Sequence, residues 1–234
     1  MAANLHPIFI MEEAVKLVGF VDAHGHSLIP RQILYSWLIM AILILLSLAA
    51  TKKISLVPRG VQNFFEFLIG SLENFVVENM GEGGRKVFPV LCTLFVYILC
   101  CNFGGMIPGC DAPTANINTT ASMAVFVFVY YQYWGFKLHG LKYIKHFMGP
   151  VWWMAPMMLP VEIIGHFARM LSLSLRLFGN IMGEDIVLAL LFILAPILST
   201  VPMYFLFILA DVIQAFVFFM LSMLYLKGAF EEAH

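Results

Sequence analysis

Arg176 stands in the run Ser172-Leu-Ser-Leu-Arg-Leu-Phe-Gly-Asn180, inside a long apolar stretch. A guanidinium keeps its charge under all conditions a protein meets. At the centre of a bilayer that charge costs roughly 3 kcal/mol or more, so an intramembrane arginine marks a functional site by default. Glu162, His166, Arg169, Leu173, Arg176 and Asn180 follow one another at spacings of 4, 3, 4, 3 and 4. That spacing places them on one helix face. Ser172 lies beside this stripe, one turn before Arg176. Glu184 and Asp185 continue the same helix, and Asp211 and Gln214 share a face on the last apolar segment. Carboxylates, imidazole and water pass protons by hopping. A guanidinium that never deprotonates cannot. The set therefore fits two separate polar regions, one with Glu162 and His166, the other with Asp185, Asp211 and Gln214. Arg176 lies between them as an electrostatic block. It would also attract a mobile carboxylate, by ~4 kcal/mol at ~4 Å for an effective dielectric constant near 20.

Helices must hold these groups at depth, and the composition provides them. The chain has 234 residues, 62% hydrophobic and only 12% charged. A soluble domain averages about 45–50% apolar and about 25% charged. The excess recurs in segments long enough to cross a bilayer, which predicts an all-α, polytopic membrane protein. Spans are expected at Ile33–Ala50, Val87–Ile107, Ile117–Phe136, Val161–Ala195 and Met203–Leu226. Val61–Val77 reads as an amphipathic surface helix, because Gln62, Glu66 and Glu73 recur at helical spacing. The proline-free stretch Val161–Ala195 would be ~52 Å long as a helix, against a hydrocarbon core of ~30 Å. With the last span it forms a long tilted hairpin, turned at Pro196 and Pro202. The chain is expected to be a single membrane domain. Residues 1–32 form an external segment, 33–147 the first three spans and the surface helix, and 148–234 the hairpin.

With five spans and a surface helix, Lys52, Lys53, Arg59, Arg85, Lys86, Lys137, Lys142, Lys145 and Lys227 fall on one side. That side is cytoplasmic by the basic-residue rule, which puts the N-terminus outside and the C-terminus in the cytoplasm. Met1–Arg31 lacks a signal-peptide pattern. The net charge of −1 gives no reason to expect nucleic acid. Cys92, Cys100, Cys101 and Cys110 show neither a disulfide framework nor zinc spacing. Asp22, His24 and His26 look like a metal triplet but read as surface polar residues, and no metal or cofactor is expected. Gly165, Gly179 and Gly183 read as places where another helix comes close. Trp134, Trp152 and Trp153 read as interface anchors. Each polar group also has a plainer reading. Arg169 can snorkel toward headgroups. Asn180, Asp185 and Gln214 can clamp helices together. Ser172 can bond its own backbone.

The run Leu173-Ser-Leu-Arg-Leu-Phe-Gly-Asn180, with Gln214-Ala-Phe-Val-Phe, Tyr225-Leu and the loop near Asn116–Asn118, resembles subunit a of the F-type ATP synthase. The likeness spans nearly the whole chain. It implies a non-catalytic, proton-conducting stator subunit in a bacterial inner membrane. Its partners would be a rotating ring of c subunits, the subunit b stalk, the other synthase subunits and the bilayer. In that family Arg176 matches the essential membrane arginine, and Asn180, Asp185, Gln214, Glu162 and Ser172 match further motif positions. One departure stands out. Some relatives carry a histidine seven residues before the glutamine, where this chain has Phe207. Asp211, one helical turn on, can substitute for it, and Glu184 can share its load. The alternative reading is a secondary cation or proton transporter that uses Asp185 and Asp211 itself. It predicts inverted repeats, and the sequence has no visible repeat.

Overall fold

The computed structural model describes residues 30–51, 61–107, 110–140, 155–194 and 200–231. The Asp22/His24/His26 triplet, Lys52, Lys53, Arg59, Lys142, Lys145, Trp152, Trp153 and the turn at 195–199 lie outside the described residues. All regular structure among the described residues is helical. The helices are α1 (Arg31–Thr51), α2 (Val61–Met80), α3 (Gly84–Gly105), α4 (Ile117–His139), α5 (Ala155–Leu194) and α6 (Thr200–Glu231). Single 3-10 turns, Gly81–Gly83 and Pro113–Ala115, lead from α2 into α3 and toward α4.

Local chemistry sets several of these boundaries. Asn116 caps α4, its side-chain oxygen accepting from the Asn118 N–H at 2.9 Å. Lys137 and His139 lie in the last turn of that helix, where cations suit its negative end. Gly81 has φ +67°, a conformation that other side chains rarely adopt, and the chain turns there from α2 into α3. The long helix begins at Ala155, six residues before the expected start at Val161, and carries Pro160 inside it. Pro160 removes one rung of the hydrogen-bond ladder there, as prolines do within membrane helices whose surroundings re-satisfy the freed carbonyl. Pro202 sits in the first turn of α6 and does not delimit it.

Among the described residues, four stretches are long and apolar enough to cross a membrane: Gln32–Thr51, Phe65–Gly105, Pro160–Leu194 and Val201–Phe230. The protein is thus a polytopic membrane protein. The segment expected as the third span forms α4, whose 23 residues reach ~34 Å. Its C-terminal half is less apolar than the other helices, with Tyr130, Tyr131, Gln132, Tyr133 and Trp134 in succession. At 40 residues α5 is ~60 Å long, about twice the hydrocarbon thickness.

The core is organised around α6. Its buried positions Asp211, Gln214, Ala215, Phe218, Phe219, Ser222, Met223, Leu226 and Ala229 repeat at three- and four-residue steps. That repeat makes one continuous stripe on the helix. Helix α6 packs against α3, α4 and α5. Phe218 and Phe219 meet Leu91, Phe95 and Ile98 of α3, Val127 and Tyr131 of α4, and Leu173 and Leu177 of α5 in one apolar cluster. Trp134 belongs to this cluster and is not an interface anchor. It is 9% exposed, and its ring packs on Phe230 at 5.3 Å. By contrast α5 is largely bare. Only 11% of its best apolar window is buried within the chain, against 39% for α6.

Gly105 lets the loop before α4 approach closely. A Cβ there would lie 2.4 Å from Cβ of Ala112 and 3.0 Å from its Cα. Gly105→Ala is expected to destabilise the protein by about 1–3 kcal/mol through overpacking. Thermal unfolding of the purified chain in detergent should show a lowered midpoint, and an unchanged midpoint would contradict this packing.

Candidate functional site

The polar stripe on α5 does not face one environment. His166, Leu173, Ser174, Leu177 and Ile181 are buried, whereas Arg169, Ser172, Arg176 and Asn180 are exposed. At 100° per residue, the packed face is turned roughly 70° from the centre of the stripe. The stripe therefore runs along the seam between the packed face and the bare one.

On the packed side of that seam, α5 and α6 form a polar cluster. Asn180 donates through Nδ2 to Oε1 of Gln214 at 2.6 Å. Glu184, Asp185 and Asp211 line one cavity of about 20 Å³, together with Asn102, Ile181 and Phe207. Such a volume admits about one water molecule. Asp211 is 1% exposed, and its Oδ1 has no hydrogen-bond partner. Asn102 on α3 is also buried. Its Oδ1 accepts from the Thr114 hydroxyl at 2.8 Å, while its Nδ2 has no partner. A residue with an unsatisfied donor and one with an unsatisfied acceptor thus line the same cavity.

A second cluster lies toward the other end of α5. Glu162 Oε1 is 3.4 Å from His166 Nε2. His166 Nδ1 is 2.6 Å from the Tyr131 hydroxyl on α4. The Arg169 guanidinium sits 5.9 Å from the centroid of the Tyr225 ring. His166 and Asp185 lie ten and nine residues either side of Arg176, or ~15 Å and ~13.5 Å along the axis.

Between the clusters, Arg176 has a single long hydrogen bond among the described residues. Its Nη2 donates to Ser172 Oγ at 3.4 Å. No carboxylate of the described residues comes within ion-pair distance of it. Gly165, Gly179 and Gly183 were expected to admit a neighbouring helix, and among the described residues none approaches them. A Cβ at any of the three would meet nothing within 4 Å.

The structure brings together Asn180 with Gln214, Glu184 with Asp185 and Asp211, Glu162 with His166, and Ser172 with Arg176. It adds three residues that the sequence reading passed over: Asn102, Thr114 and Tyr131. Asn102 had a usable signal, as a lone amide in an uncharged span. Tyr131 had none, because it sits among aromatic residues at the end of a helix.

Long apolar helices with ionisable groups gathered between them define a polytopic membrane protein. A family model described as ATP synthase A chain matches residues 33–227. ATP synthase subunit a of Solidesulfovibrio magneticus is 57% identical over 238 residues, covering 100% of both chains. That of Nitratidesulfovibrio vulgaris is 60% identical over 235 residues, again covering 100% of both. That of Geobacter sulfurreducens is 48% identical, covering 98% of this chain and 100% of its own. The chain belongs to the ATP synthase subunit a family.

The Asn180–Gln214 bond has a simple energetic signature. Asn180→Leu or Gln214→Leu alone leaves one amide without its partner, at about 1–3 kcal/mol. The double substitution removes both amides, so the two losses should overlap by ~1 kcal/mol or more. Thermal unfolding of the four forms in detergent measures this, and strictly additive losses would contradict the bond.

Proposed function

We propose that the chain is the proton-translocating stator subunit of an F-type ATP synthase. Two offset half-channels deliver protons to, and accept them from, carboxylates on a rotating ring of c subunits. The observation that carries this reading is the unpaired, exposed Arg176 guanidinium on the bare side of α5. A permanent charge at that depth needs a counter-charge or water. No acid of the described residues supplies one, so the ring carboxylate does. The open space at Gly179 and Gly183 supports the approach of a partner helix to the same stretch.

The outer path runs past Asp185, Asp211 and Gln214, with Glu184 beside them. The cavity they share with Asn102 supports this, because a water there can accept from Asn102 and donate to Asp211. Phe207 borders that cavity together with Asp211. Asp211 therefore takes the role that a histidine at position 207 holds in some relatives. Asn180 holds Gln214 in place. The inner path leaves past His166 and Glu162. In the synthesis direction, a proton enters by the outer path, neutralises a ring carboxylate, travels round with the ring and leaves by the inner one. Arg176 holds the ionised carboxylate between the two paths and stops a direct leak, with Ser172 steadying its side chain. No bond-making chemistry occurs in this chain.

The protein sits in the bacterial inner membrane, with α2 along the surface, the N-terminus outside and the C-terminus in the cytoplasm. Subunit b and the remaining synthase subunits are its other partners.

Arg176→Ala in the intact synthase, reconstituted in liposomes, is expected to abolish proton-driven ATP synthesis. ATP-driven pumping at the normal rate in that variant would refute the role of Arg176. Glu162→Gln should slow proton exit without releasing the ring. Asp211→Asn should lower proton conductance severalfold, and adding Phe207→His should restore part of it. No effect of Asp211→Asn would remove that carboxylate from the path.

A further inference from the structure

We propose that Tyr131 is a positioning residue for the inner path, holding His166 in the one neutral tautomer that presents its proton to Glu162. The inference rests on reading Glu162 and His166 as part of that path, and it adds a residue from a different helix.

A neutral imidazole carries one N–H and one bare nitrogen. Which nitrogen holds the proton is set by what each one faces. The Tyr131 hydroxyl lies 2.6 Å from Nδ1 of His166. Glu162 Oε1 lies 3.4 Å from Nε2. If the proton sat on Nδ1, the bare Nε2 would face a carboxylate, acceptor against acceptor. With the proton on Nε2, both contacts are favourable. The proton then sits on the nitrogen 3.4 Å from the Glu162 carboxylate, and the phenolic O–H donates to Nδ1. The two neighbours thus select the same form, although they reach the ring from different helices.

The arrangement is fixed by packing. Tyr131 is 3% exposed and His166 is 6% exposed. The Phe128 ring meets Tyr131 edge-on, at 5.4 Å and 86°, and Tyr225 flanks Tyr131 at 6.3 Å. The imidazole lies nearly parallel to the Tyr131 ring, 5.7 Å away and tilted by 25°. A hydroxyl held this firmly loses little further freedom when it bonds the imidazole. Tyr131 passes no proton in this account. It decides which way the histidine proton faces.

The test uses the intact synthase in liposomes with 15N-labelled histidine. Solid-state NMR reads the tautomer, and comparison with His166→Gln identifies the His166 signals. The wild-type ring should be protonated on Nε2. Tyr131→Phe keeps the ring packing and removes the donor, so the Nδ1–H form should grow severalfold. Passive proton flux should fall severalfold as well. In the Tyr131→Phe/His166→Gln double variant, flux should match that of His166→Gln alone.

An unchanged tautomer in Tyr131→Phe overturns the inference. So does a flux loss that is equally large when His166 is absent, since that marks a purely structural effect. Should Tyr131→Phe fail to assemble, the wild-type spectrum still decides, because a ring protonated on Nδ1 contradicts the proposal. Normal flux in His166→Gln overturns the reading of the inner path itself, whatever the tautomer does.

Discussion

A permanent positive charge that the described residues leave without an ion pair is the constraint on which the proposed account depends. Arg176 cannot be neutralised by losing its proton, and among the described residues its one hydrogen bond is a long contact to Ser172. A soluble protein would leave such a group in water. In a bilayer it needs a counter-charge or water. The surrounding design is consistent with that need. The face of α5 that bears Arg176 is left bare, and glycines beside it leave room. The acids that could have paired with it are held a turn or more away, against α3 and α6.

Holding them there falls to α6. One stripe of that helix carries both the apolar residues that bind the bundle and the polar residues of the outer cluster. Phe218, Phe219, Met223 and Leu226 anchor the stripe in the core. Asp211 and Gln214 continue it toward the cavity. An unsatisfied buried polar atom costs about 1–3 kcal/mol, and two such atoms belong to Asn102 and Asp211, which line the same cavity. Packing along the rest of α6 offsets that cost. Local polar strain at the cavity is therefore supported by ordinary close packing elsewhere on the same helix.

Much of this was legible in the sequence because bilayer physics acts on one helix at a time. Apolar runs reported the helices, and the three- and four-residue spacing reported the stripe containing Arg176. Asp185 and Asp211, read as members of one polar region, do share a cavity. What the sequence hid depends on neighbours. The stripe splits between buried His166 and exposed Arg176 because packing rotates α5 by roughly 70° away from its polar centre. Tyr131 reaches His166 across 35 positions, and no spacing rule on a single helix reports such a contact. The proline-free stretch suggested a start at Val161, yet Pro160 lies inside α5, because membrane helices accommodate single prolines. The glycines looked like packing sites, and among the described residues they face open space.

The most direct measurement is a cryo-EM reconstruction of the intact synthase that resolves the Arg176 side chain. The guanidinium should point at the ring of c subunits, with a ring carboxylate or its bridging water as the nearest anionic neighbour. A guanidinium turned into lipid, or paired with Glu162, Asp185 or Asp211 of its own chain, would contradict the account.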